Sequence, residues 1–171
     1  MPGDFDAILN GAQQLERLAW INSNARKALE SGMWAGTTLA VNQGKLNAPV
    51  DTGRYRASIT NEVRWESATI LGVIGSNVFY AVPIEYGTGA LGDPEVPHVS
   101  IHWPPGGALS RWASRHGMPN GFVVARAIGK RGGLAPRRVL RSAIFTPFMQ
   151  NNIFNAIKAA VDQFWGRAGG E

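Results

Sequence analysis

Apolar residues recur at spacings near three and four across residues 6–46, and that run constrains the fold more than any other feature. Leu15, Leu18, Ile21, Leu29, Met33 and Leu39 lie on the stripe, and Asp6 is placed to cap its start. The segment therefore reads as one long amphipathic helix. Gly32, Gly36 and Gly44 lower its helix propensity and predict a kink or break near Ser31-Gly32. Ala48-Pro49 ends it, because the residue before proline is pushed out of the α region. Such a helix has one stripe to bury and more length than a small domain covers, so part of it is expected to reach toward a neighbour.

The rest of the chain is punctuated by turns. Residues 50–53 read as a turn, with Asp51 able to accept from the backbone amides that follow. Residues 58–65 alternate Ile59, Val63 and Trp65 with polar neighbours, as a half-buried strand does. Ser67-Ala68 turns it into a second strand, 69–74, before a turn at Gly75-Ser76-Asn77. Residues 79–86 suit one or two helical turns ended by Gly87. A loop rich in proline and glycine, 89–107, separates these from short helices at 108–116 and 122–131. A last helical segment, 134–165, must kink or split at Pro147. The expected class is α+β in one domain of 171 residues: a long N-terminal helix, a small antiparallel β-sheet with helices packed on one face, and a long C-terminal helix.

Hydrophobic residues make up 44% and mean hydropathy is −0.11, which excludes a disordered chain. Cysteine is absent, so disulfides and thiolate metal sites are excluded. No apolar stretch approaches the roughly 18 residues of a membrane span, and the acidic start, Met1 to Asp6, lacks the basic region of a secretory signal. The net charge is +5, but it is unevenly placed: no Asp or Glu occurs from Val96 to Val161, where nine Arg and Lys residues lie. Such asymmetry suits a polyanionic or acidic partner, although surface arginines also serve solubility.

Enzyme signatures are sparse. His98 and His102 are four apart with Asp93 and Glu95 nearby, but the prolines around them argue against the helix that would bring the imidazoles together for a metal. Glu85, between Ile84 and Tyr86, has no second carboxylate to work with and suits a salt bridge or backbone acceptor fixing the turn at Tyr86-Gly87-Thr88. No nucleophile elbow, phosphate loop or dinucleotide fingerprint is present, so the expectation is a non-enzyme without metal or cofactor. Arg126, Lys130, Arg131, Arg137, Arg138 and Arg141 crowd around Gly132-Gly133 and suit contact with DNA or an acidic protein. No aromatic alternates with them as a base-stacking platform requires. Trp103, between His102 and Pro104, is the candidate interface anchor.

Two blocks carry a resemblance. Ala48-Pro49-Val50-Asp51-Thr52-Gly53-Arg54-Tyr55-Arg56-Ala57-Ser58-Ile59 resembles the first signature of the gene-ten-like tail-component family of long-tailed bacteriophages. Gly75 to Thr88, with Tyr80, Glu85, Gly87 and Thr88, is similar to its second, and the spacing matches. Trp112, residues 125–132 and residues 135–143 fall where that family has its later conserved stretches, so the likeness covers roughly 6–165. Arg138-Val139 stands where the family has an aromatic after proline, and the 89–105 loop is longer than in its simplest members.

The resemblance implies a structural virion protein of the head–tail junction: a neck or tail-completion subunit forming a homo-oligomeric ring, hexameric by preference. Its implied neighbours are head-connector and tail-tube or tail-terminator proteins, with phage DNA passing through the lumen and no membrane. Its implied place is the virion, and the host cytoplasm during assembly. Pro49, Asp51, Thr52, Gly53, Ser58, Tyr80, Glu85, Gly87 and Thr88 would then hold the fold or the subunit contact. The alternative is a DNA-binding accessory protein using residues 126–141.

Overall fold

The computed structural model describes the backbone of residues 3–96 and 103–168, and the side chains of 14–96 and 103–166. His98 and His102 lie outside the described residues. The class is α+β. The elements, in chain order, are α1 (Gly3–Asn47), α2 (Arg54–Ser58), β1 (Ile59–Glu66), β2 (Thr69–Ser76), α3 (Ala81–Tyr86), β3 (Thr88–Gly89), α4 (Gly106–Arg115), α5 (Gly121–Lys130), β4 (Gly133–Leu134), α6 (Val139–Phe145) and α7 (Pro147–Ala168). The chain divides into two compact units, the first of residues 1–39, 61–73 and 147–171, the second of 40–60 and 74–146.

The first unit is built from long helices and the far half of a hairpin. Its α1 segment is unbroken at Ser31-Gly32, contrary to the kink or break expected there. The glycines serve a different purpose: a Cβ on Gly32 would lie 2.8 Å from the Ile157 Cα, and one on Gly36 would lie 2.9 Å from the Ile153 Cγ2. Backbone against backbone is possible only because those positions carry no side chain. Gly72 of β2 likewise lets the hairpin settle on Thr37 and Met33, with 2.5 Å between its would-be Cβ and the Thr37 Cγ2. Asn61 Nδ2 donates to the Thr37 hydroxyl at 2.7 Å, and the Arg26 guanidinium sits 4.2 Å over the Trp65 ring.

The second unit holds the main core: Val41, Ala48, Tyr55, Ile59, Val78, Ala81 and Val139, joined by Ile74, Tyr80, Ile84 and Leu140. The small antiparallel sheet is two separate two-stranded ladders, β1 with β2 and β3 with β4. In the second, Thr88 faces Leu134 and Gly89 faces Gly133. Gly132 and Gly133 turn the chain into that ladder with φ of 85° and 124°, which only glycine holds without strain.

Several boundaries differ from the sequence expectation. Gly75 and Ser76 continue β2 instead of turning, and residues 54–58 form α2, which propensity alone did not announce. Gly89 belongs to β3, and Gly106-Gly107 open α4, so the loop is shorter at both ends. The 134–165 segment is not one helix: Leu134 is in β4, α6 starts only at Val139, and Pro147 opens α7. Pro147 divides the helices because its ring clashes with the preceding turn and it has no N–H to donate. None of the described helices is long and apolar enough to cross a membrane.

Candidate functional site

The first signature block closes one end of the second unit. Ala48 N donates to Gly44 O at 3.0 Å as α1 ends. Gly53 turns with φ 78° and its carbonyl accepts from Ala57 N at 2.9 Å, which starts α2. Tyr55 then enters the core, and Arg56 Nε donates to Lys45 O at 2.8 Å, satisfying a carbonyl of the last turn of α1. Ser58 Oγ donates to Tyr55 O at 2.8 Å and shares a 2.7 Å hydrogen bond with Ser76 Oγ. Asp51 takes side-chain partners rather than the backbone amides expected of it. Arg115 Nε donates to its Oδ1 at 2.9 Å, the Arg115 Nη2 pairs with its Oδ2, and His116 Nε2 lies 3.3 Å away. The Arg115 hydrogen bond holds the Asp51 carboxyl below the usual carboxylate range. Pro49 is half-buried beside this turn, and Thr52 offers its hydroxyl to Arg54 N at 3.5 Å.

The second block converges on α6. Arg138 precedes that helix in the left-handed region, with φ 49° and no side-chain cap. Glu85 caps it from α3: its Oε2 accepts from Leu140 N at 2.8 Å and its Oε1 from Arg141 N at 2.7 Å. A carboxylate on the free amides of a helix N-terminus satisfies orphan donors and opposes the helix dipole. Glu85 is thus a backbone acceptor, as its sequence context suggested, but for a helix far along the chain. Asp93 does the same for cations. Its side chain is 1% exposed, its Oδ2 lies 2.9 Å from Arg141 Nη1 and 3.5 Å from Arg138 Nη2, and its Oδ1 accepts from Glu95 N. Arg141 also stands 5.2 Å over the Tyr86 ring.

Gly87 and Thr88 tie the block to the β4 segment. A Cβ on Gly87 would lie 2.5 Å from Leu134 O, and Thr88 Oγ1 accepts from Leu134 N at 3.1 Å. Tyr80 stacks at a tilt on Tyr55, with centroids 6.3 Å apart. Burial, with Glu85 adding to it, pushes the Tyr55 phenol up to about 12, and its hydroxyl has no hydrogen-bond partner among the described residues. Beside these groups runs a groove of about 350 Å³, lined by Ile74, Ala81, Val82, Leu140, Ile144 and Phe145 with Glu85 and Arg141.

The six basic candidates separate. Arg138 and Arg141 are engaged by Asp93, whereas Arg126, Lys130, Arg131 and Arg137 are exposed and have no acidic partner among the described residues. Trp103 is 58% exposed, with its indole laid across Gly129 of α5. Asp93 is the important residue to which the sequence alone assigns no role: its partners are two arginines that only the fold brings to it. What this arrangement does chemically is satisfy a helix end and pair arginines with carboxylates whose oxygens are already occupied. No family model matches the chain, and no curated protein or solved structure is significantly similar to it.

Proposed function

We propose that the chain is a structural subunit of the head–tail junction of a long-tailed bacteriophage, assembling with copies of itself into a ring between the head connector and the tail. The observation that carries this reading is where the signature residues go. Gly53, Ser58, Tyr80, Glu85, Gly87 and Thr88 turn the backbone, fill the core or cap α6, so the resemblance follows residues that make a scaffold. The apolar side chains left outside suit neighbours. Leu15, Leu18, Phe148 and Phe154 in the first unit are each 60% exposed or more. Charge supports head-to-tail contact: the first unit carries eight acids and six bases, the second eleven bases and four acids. Units of opposite net charge on one chain are what heterologous ring contacts need.

Light scattering of the purified protein across concentration and salt tests the proposal. A discrete species of about six subunits, or a monomer that assembles once tail tubes are added, is the expected result. A monomer at every concentration that also ignores tail tubes rejects it.

A further inference from the structure

Two of the four acids of the second unit, Glu85 and Asp93, are buried. Asp51 pairs with Arg115 and His116, Asp93 with Arg138 and Arg141, and Glu85 with backbone amides, so neither Glu85 nor Glu95 has a side-chain ionic partner among the described residues. Eight of the eleven bases of that unit have no acidic partner among the described residues and leave it a basic surface. Helix α5 concentrates it. Ala125 and Gly121 point into the fold, and the opposite face exposes Arg126 and Lys130 one turn apart, with Arg131 exposed just beyond.

Aromatic rings absent from the basic sequence run are supplied there by the fold. Trp103 arrives from the preceding loop and lays its indole across Gly129, where a Cβ would meet the ring at 2.4 Å. Phe122, two turns before Gly129 on the same side of α5, is 70% exposed with its ring over Gly106. Cations interleaved with exposed rings on one face are the combination that holds a nucleic-acid strand, charges on phosphates and rings on bases.

We infer that this α5 face binds nucleic acid, with Arg126, Lys130 and Arg131 on the phosphates and Trp103 and Phe122 stacking on unpaired bases, so that single strands are preferred to duplex. The binding belongs to one subunit and does not depend on ring assembly. Its failure and the failure of the neck proposal are therefore read in different experiments.

Fluorescence anisotropy decides it, using the full chain, a labelled single strand of about 20 nucleotides, the matching duplex, and a polyglutamate peptide of equal charge. The single strand should bind tighter than the duplex, with affinity falling linearly against log salt. R126A/K130A/R131A should cost about tenfold or more at low salt and flatten the salt slope by about two. Trp103→Ala should cost about tenfold on the single strand and little on the duplex, and Trp103→Phe should restore most of it. All of these side chains are exposed, so unchanged thermal melting of each variant separates lost binding from lost folding. No binding at low salt, or a triple variant that binds as the parent does, overturns the inference. So does equal binding of both strand forms with Trp103→Ala silent. Displacement of the oligonucleotide by polyglutamate at equal charge would overturn it too, in favour of an acidic protein partner.

Discussion

Glu85 is 6% exposed, and each of its carboxylate oxygens meets a different backbone N–H of α6. Removing the carboxylate strands two part-buried donors at the end of a helix whose own N-cap residue, Arg138, makes no side-chain cap. Glu85→Ala should therefore cost about 3 kcal/mol, and Glu85→Gln less, since an amide oxygen still accepts from one of them. Urea unfolding midpoints at constant slope measure both, and an unchanged midpoint for the alanine variant contradicts the capping role. Asp51 makes a pH prediction. Its carboxyl titrates below its ordinary value of 3.8, chiefly through the Arg115 hydrogen bond. A lowered folded value contributes stability that is present above the unfolded value and lost as pH falls through the folded one. The midpoint gap between the parent and Asp51→Asn should thus be open at about pH 7 and narrow only as pH falls below the ordinary value of 3.8. No gap at about pH 7 would show that the Arg115 pairing adds nothing to folding.

Among the elements, the meeting of α1 with α7 turns on two glycines. Alanine at Gly32 gains up to about 1 kcal/mol of helix propensity but drives a methyl into the Ile157 backbone. Backbone cannot step aside without separating the helices, so Gly32→Ala should lose about 1–2 kcal/mol overall. Gly36→Ala meets an Ile153 methyl that can rotate, and should lose less. Gly166→Ala meets nothing within 4 Å and should not destabilise. Thermal melting of the three ranks them, and a more stable Gly32→Ala would refute the close approach. The same glycines show where legibility ran out. Periodicity located α1, α4 and α5 to within a few residues, because a helix buries a stripe at 3.6-residue intervals whatever it meets. Glycine spacing predicted a break, since propensity counts the missing side chain and cannot see the helix that occupies its space.

At the scale of the molecule, each unit carries its own charge, and the basic one engages Asp51, Glu85 and Asp93 in its own structure. Ring assembly through opposite charges predicts an oligomer that weakens as salt rises, because exposed charges are screened within about 10 Å at 0.1 M. An apolar contribution from Leu15, Leu18, Phe148 and Phe154 resists salt, so the residual mass at high ionic strength reports how much of the contact they supply.

The sequence by itself determined the α+β class, the long first helix and its end at Ala48-Pro49, the alternating β1, and the split at Pro147. Each is a local rule: proline sterics, a period of two or a period of 3.6, written in neighbouring residues. Only the tertiary structure decided that Glu85 caps α6, that Asp93 neutralises Arg138 and Arg141, and that Trp103 lies on α5. Those partners are dozens of residues apart, and a carboxylate is indifferent to whether an amide, a guanidinium or solvent satisfies it. The fold chooses, because burying an unpaired charge costs more than any local preference can return.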